Sequence, residues 1–462
     1  MKHAFKHTRT LSPWLLAVAF LAVCGPVQAE TRAYRLDNGL RVIVKEDRRA
    51  PVVVSQIWYR AGSMDEVTGA TGVAHVLEHM MFKGTRAVPA GGFSKRIAAA
   101  GGRDNAFTAR DYTVYFEQLE KSQLPLALRL EADRMHNLAL SSQAFSKEIK
   151  VVREERRWRT DDKPQSLVYE QLMAAAYTVF PYHHPVIGWM EDLQNMTVAD
   201  ARRWYRQWYA PNNATLVVVG DVTPDAVFRL AKRDFGPIPA RLLPPRKTMS
   251  EPPQRGVKRV NVKASAKLPY LIMGYHVPVL RRVEKDWAPY ALEILAGVLD
   301  GNPAARLNQR LVREQRVATE VGAGYDPISR GPGMFLLEGT PAKGNTLASL
   351  EAALRAEVEN IQRDGVTPAE LNRVKAQVIA SRVYQRDSLF YQAMRIGRME
   401  SVGLSYRDLG RYLDKLQAVT ARQVRDVARK YFRDDNLTVA TLDPQPLKQR
   451  QPLPRWESIH AK

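Results

Sequence analysis

At 462 residues the chain is long enough for two or three domains with full-sized cores, and 45% hydrophobic with 25% charged residues excludes a disordered or fibrous protein. The formal charge of +21 would suit acidic substrates, anionic surfaces or nucleic acid, but the basic residues are spread along the chain instead of gathered into a stripe, which argues against nucleic-acid binding. Cys24 is the only cysteine, so no disulfide framework can form within the chain.

Residues 1–29 read as a secretory signal: Lys2, Lys6 and Arg9 precede an apolar run from Pro13 to Val23, and Val27-Gln28-Ala29 offers small residues where a peptidase would cut before Glu30. Cys24 falls inside this segment, so the mature chain would hold no thiol for catalysis or metal binding. Leu21-Ala-Val-Cys24 also resembles a lipoprotein acylation site, but valine before the cysteine fits poorly and plain cleavage is preferred. The apolar run is short for a membrane span, and no later stretch is long enough to be one. A periplasmic protein is expected.

From Tyr34 to Lys45, alternating segments around Asn38-Gly39 predict a β-hairpin, and Pro51 to Arg60 a second long β run. Next comes Gly72 to Thr85 (GVAHVLEHMMFKGT), around which the chain is organised. If His75 to His79 are helical, the two histidines share one face with Glu78 beside them. An ionisable trio among Val73, Val76, Leu77 and Met80 would be costly to bury without a cation. Two neutral imidazoles suit zinc, and the carboxylate can handle the proton of a water; the spacing is HxxEH, the reverse of the HExxH zinc-peptidase pattern.

Gly92 to Ala100 predicts a short helix closed by Gly101-Gly102, Asn105 to Phe116 a strand, and Leu124 to Met135 a helix. A further helix, Ser142 to Arg159, places Phe145, Glu148, Val152 and Glu155 on one face, so two acids point inward and ask for a cation, while Glu154 belongs on the surface. Pairing of both acids with Arg153, Arg156 or Arg157 is the competing explanation. His183 and His184 are spare donors, although adjacent side chains rarely converge on one ion.

Residues 236–256 carry six prolines and form the clearest linker. Beyond it the pattern repeats. Thr420 to Phe432 and the following strand match Thr197 to Gly220 without a gap at an offset of 223, and Ala291-Leu-Glu-Ile294 aligns with Val76-Leu-Glu-His79 with Tyr290 and Ile294 in place of the histidines. The expected organisation is an N-terminal metal-binding domain (30–235), the linker, a homologous domain without metal (257–445) and a tail (446–462). The expected fold class is α+β: two mostly antiparallel sheets, each covered by helices, forming a clamshell with one catalytic and one binding wall.

The Gly72 to Thr85 segment, Asn105-Ala-Phe-Thr108 with Asp111, Thr113 and Tyr115, and Val151-Val-Arg-Glu-Glu155 together resemble the inverted-zincin peptidases of the pitrilysin/insulinase family, in particular short bacterial members similar to mitochondrial processing peptidase. The resemblance spans nearly the whole mature chain. It implies one zinc ion held by His75, His79 and Glu155, Glu78 as catalytic base, and Glu148 as a group that orients a ligand. It further implies that Asn105, Ala106 and Phe107 pair with an extended peptide substrate, and that Arg313 holds substrate. Active relatives carry a tyrosine where this chain has Thr319, and Tyr325 lies six residues further on. A dimer is therefore expected, with a zinc-free homologous subunit as the partner that supplies the missing groups. The expected activity is zinc-dependent endopeptidase action on peptides or unfolded segments in the cell envelope; the alternative is a non-catalytic scaffold or assembly subunit of the same fold.

Overall fold

The computed structural model describes residues 31–446, so the expected signal, Cys24 and nearly all of the expected tail lie outside the described residues. Two sheets organise the chain. The first has six strands, β1 (Thr31–Arg35), β2 (Arg41–Glu46), β3 (Val52–Tyr59), β4 (Arg103–Thr108), β5 (Thr113–Glu120) and β6 (Ala214–Gly220), in the order β1-β2-β6-β3-β5-β4. The second has five, β7 (Lys258–Ser265), β8 (Tyr270–Val277), β9 (Ala318–Tyr325), β10 (Gly333–Pro341) and β11 (Leu437–Gln445), in the order β7-β11-β8-β10-β9. Apart from β1, the two orders are the same, and in each sheet one pair is parallel (β2 with β6, β7 with β11) and the others antiparallel.

The repeat continues in the helices. Thr197 and Thr420 both close capping boxes, before the helices Val198–Trp208 and Ala421–Tyr431. The helix Val73–Met80 has its counterpart in Ala288–Asp300, where Tyr290 and Ile294 are buried among apolar side chains and Glu293 accepts hydrogen bonds from Arg382 (2.8 Å) and the Tyr412 hydroxyl. An apolar core and an ion pair thus occupy the place that the first half gives to two histidines and a glutamate.

Helices cover both faces of each sheet, and the second layer is exchanged. The inner face of the first sheet (Val42, Val44, Ile57, Leu216) packs on helices of its own half, while Trp58, Val114, Val217 and Val219 pack against Ala393 and Ile396 of the helix Leu389–Ser401 from the second half. Reciprocally, Val168 and Leu172 of the helix Pro164–Ala176 from the first half pack on Tyr270, Ile272, Ala440 and Leu442 of the second sheet. Gly397 marks how close the exchanged helix comes, since a Cβ there would lie 2.0 Å from the Trp58 ring. Central strands are apolar on both faces for this reason, which also accounts for the unbroken apolar run Leu216, Val217, Val218, Val219 in β6.

The expected strand Asn105 to Phe116 is instead the hairpin β4–β5, turning through Ala109 to Tyr112. No glycine or proline marks that turn; it is held from outside, where Gly62 packs against the Ala109 and Arg110 carbonyls. The expected helix Ser142 to Arg159 is α-helical over Ser142–Arg156 and widens into a π-helical turn over Arg157–Asp161 ahead of Pro164. The segment between the halves contains no helix or strand over 239–255, yet it is fastened down: Glu251 accepts the Thr178, Val179 and Phe180 N–H groups at 2.6, 3.0 and 2.9 Å, and Arg246 lies over Trp208 and pairs with Asp65.

Candidate active site

The helix Val73–Met80 is buried along nearly its whole length and packs against Val198–Trp208, Ser142–Arg156 and β4. It begins at Gly72, whose φ of +87° and 2.4 Å clearance from the Ile187 carbonyl to an added Cβ leave room for glycine alone. No side chain at that position caps the helix. Glu66 does so from outside, accepting the Gly72 and Ala74 N–H groups at 2.8 Å each, and Asp192 accepts the Thr71 N–H and hydroxyl. The helix register, and with it the direction of both histidines, is fixed by these two acids.

The cluster itself joins two helices. Glu155 Oε2 lies 3.2 Å from His79 Nε2 and 3.8 Å from His75 Nε2, and one atom from each of the three residues falls within 4.8 Å of the others. Tetrahedral ligands at ~2.0–2.1 Å from an ion sit about 3.4 Å apart, so the donor set and spacing fit zinc. Burial, then the neighbouring His79, push His75 down to about 4, leaving it neutral and able to donate a lone pair. On His79 burial opposes the charge, but hydrogen bonding to Glu155 and Glu148 prevails and raises it. Hydrogen bonding to His79 lowers Glu155, whose other oxygen forms an ion pair with Arg159 Nε at 3.0 Å.

Glu148 stands 2.9 Å from His79 Nδ1 and also pairs with Lys83 at 2.6 Å, so it fixes the ring with Nε2 towards the cluster. Glu78 is buried beside the histidines. Thr108 Oγ1, at the end of β4, donates to its Oε2 at 2.5 Å, and burial raises its pKa while this bond pulls the other way. Glu154 is exposed and pairs with Arg157, as its position around the helix requires. His183 and His184 do not join the cluster; His184 lies 3.7 Å from Glu66.

Asn105, Ala106 and Phe107 lie on β4, which among the described residues is paired on one side only, by β5. The structure does not bring the second-half residues to the cluster. Arg313 is exposed in a π-helical segment, Asn308–Glu314, and makes no hydrogen bond or ion pair among the described residues. Thr319 is exposed on β9 with its hydroxyl on the Thr340 carbonyl, and the Tyr325 hydroxyl is taken by the Pro278 carbonyl at 2.6 Å. Sequence reasoning missed Glu66 and the role of Thr108. An acid six residues before a helix carries no readable spacing signal, and Thr108 becomes recognisable only once the strand end is known to meet Glu78.

Residues 41–188 match the model of the insulinase family (peptidase family M16), and residues 195–378 match the model described as the peptidase M16 inactive domain. The chain belongs to the M16 peptidases. It is 32% identical over 418 residues to the zinc protease PqqE of Helicobacter pylori, covering 88% of this chain and 92% of that one. An uncharacterized zinc protease of Bacillus subtilis, YmxG, is 26% identical over 87% of this chain and 96% of its own length. Among solved structures, a protease from Helicobacter pylori superposes with a TM-score of 0.85 at 30% identity over 90% of this chain and the whole of that chain. The periplasmic protease PqqL of Escherichia coli, at 19% identity and a TM-score of 0.75, shares the fold over 90% of this chain and 48% of its own. Among the described residues of this M16 chain, no helix is long and apolar enough to cross a membrane.

Proposed function

We propose that this M16 chain is a zinc-dependent endopeptidase of the periplasm. The observation that carries the reading is the convergence of His75, His79 and Glu155 on one small volume, with a buried Glu78 beside them. Zinc, when bound, supplies a Lewis acid that polarises a carbonyl and brings the pKa of a water towards neutrality. His75, His79 and Glu155 would hold it. Glu78 would take the proton of the attacking water and pass it to the leaving amine, with the Thr108 hydroxyl fixing the direction of its carboxylate. Glu148 holds the His79 tautomer.

The outer edge of β4 would receive an extended peptide as an added strand, with Asn105 to Phe107 presenting the backbone. The Ala106 N–H is occupied meanwhile by the Asn105 side chain at 2.8 Å, a local bond that an incoming carbonyl can replace. Arg313, exposed and unengaged among the described residues, is available to hold substrate. Because Thr319 replaces a tyrosine and the Tyr325 hydroxyl is already committed, the working form is proposed to be a dimer, with a zinc-free homologous subunit supplying the missing groups. The "periplasmic protease" among the structural neighbours supports the location.

A non-catalytic scaffold role is favoured only by the description of the model matched by residues 195–378 as an inactive domain. The decisive measurement is zinc content and peptide hydrolysis for the chain and for Glu78→Gln, each with and without a zinc-free homologue. Full zinc with activity lost in the variant is expected. Undiminished hydrolysis by Glu78→Gln would overturn the base assignment, and equal rates with and without the homologue would overturn the requirement for a partner.

A further inference from the structure

Between the two halves lies a cavity of about 590 Å³, within the size range of small-ligand sites. Its walls are mainly apolar and aromatic: Met173, Tyr177 and Tyr182 from the first half face Ile328, Met334 and Leu336 from the second. Three groups of charges line it. Asp111 is satisfied by the Tyr182 hydroxyl and by the Arg330 N–H at 3.0 Å. Asp326 is paired with Arg398. Among the described residues Arg110 has neither a carboxylate nor a backbone carbonyl as partner: its guanidinium donates to the Tyr169 hydroxyl at 2.9 Å and lies 5.2 Å from the centre of the Tyr182 ring and 5.9 Å from that of Tyr169. A guanidinium has five N–H donors and stays charged, so one phenol and two ring faces leave most of its donor capacity unused at a partly buried position.

We propose that Arg110 is the anchor of a carboxylate-binding subsite in this cavity, and that the group it takes is a carboxylate joined to an apolar or aromatic body. This rests on the peptidase reading for its biological ligand, the carboxylate of a substrate peptide. Arg110 sits in the β4–β5 turn, two residues beyond Thr108, which holds Glu78. Two residues of extended chain span at most about 7 Å, so a peptide laid along β4 brings a residue only a few positions from the cleaved bond to the cavity mouth. The carboxylate is matched by the planar fork of Arg110, and the apolar body by the methionine and tyrosine walls. The four charged side chains on the walls, Arg110, Arg398, Asp111 and Asp326, sum to zero, so it is the unused N–H donors of Arg110, and not a net positive charge, that select an acid against the corresponding amide.

The carboxylate could come from a peptide C-terminus or from a glutamate or aspartate side chain, and the assay separates the two. First, 3-phenylpropionate and 3-phenylpropionamide are titrated calorimetrically into the full chain and into Arg110→Gln. The acid is expected to bind at least tenfold more tightly than the amide to the native chain, with the preference lost in the variant. Equal binding of acid and amide, no binding of the acid, or a preference that survives Arg110→Gln, as binding at the metal site would give, overturns the proposal. Where Arg110→Gln fails to fold, the titration is repeated on the native chain freed of zinc by a chelator: a preference for the acid that persists supports the subsite, and one that disappears with the metal overturns it.

Second, kcat/KM is measured for matched peptides with free or amidated C-termini, and with Glu or Gln at successive positions on either side of the cleaved bond. A preference of tenfold or more for the free terminus, or for Glu at one position, is expected and names the source. Cleavage without preference for either overturns the subsite. Failure of the zinc-loaded chain to cleave any peptide even with the zinc-free homologue present counts against the peptidase reading alone, and the acid and amide titration then decides the subsite.

Discussion

Replacing Glu66 by glutamine tests how the helix that carries His75 and His79 is held. In the folded chain both carboxyl oxygens are used, one by the Gly72 N–H and one by the Ala74 N–H, each at 2.8 Å, with His184 3.7 Å away. Burial, the largest influence, raises Glu66 to about 8 against the pull of these two bonds, and Asp65 and Asp192 add to the rise. The folded state therefore keeps the proton to higher pH than the unfolded state. The stability this contributes is fully present below about 4.5 and is lost as pH rises towards 8, at up to ~1.4 kcal/mol per pH unit, or roughly 3 kcal/mol by pH 7. Glutamine does not titrate, so that slope disappears. It also presents one carbonyl to two N–H groups, a pH-independent cost of about 1–3 kcal/mol. Urea unfolding of both proteins at intervals between pH 4.5 and 8, followed by tryptophan fluorescence, gives the difference, in which all other titrating groups cancel. The difference is expected to move towards the variant by roughly 3 kcal/mol between pH 4.5 and 7. Parallel profiles would refute the reasoning. Zinc affinity measured alongside should fall, because the first turn that aims His75 loses an anchor.

Glu148→Gln removes the carboxylate that fixes His79 and pairs with Lys83; zinc affinity by competitive chelation should drop roughly 10- to 100-fold with the fold intact, and an unchanged affinity would show that Glu148 serves Lys83 alone. Gly397→Ala drives a methyl into the Trp58 ring, and overpacking of this kind costs about 1–3 kcal/mol or more; a lowered urea midpoint with altered tryptophan emission is expected, and native stability would show that the exchanged helix rides loosely on the first sheet.

The cluster of His75, His79 and Glu155 was legible because its members obey helical periodicity: His75 and His79 one turn apart, and Glu155 two turns from Glu148 on an inward face. The duplication was legible for the same reason, since threonine caps and aromatic pairs recur at constant spacing. What local pattern does not encode is which sheet a helix covers. Pro164–Ala176 and Leu389–Ser401 read as ordinary helices, and only the three-dimensional arrangement shows each lying on the other half's strands. The β4–β5 turn escaped for a related reason, because Ala109-Arg110-Asp111 carries no turn residue with a positive φ and is bent by contacts made far away in sequence. Arg110 shared that fate. An arginine in a turn looks solvated until both halves close over it.

The crossing of the two helices bears on how such a chain could arise. If each half is cut off from the other, it leaves a sheet with one naked apolar face and a helix with nowhere to lie. Two identical half-length chains could each solve the problem by lending that helix to the other, which is a domain-swapped twofold dimer. Fusion of the two genes would then conserve the swap inside one polypeptide and free one copy to lose its histidines. The prediction for the present molecule is that residues 31–235 and 257–446 made as separate chains are insoluble alone and soluble when produced together.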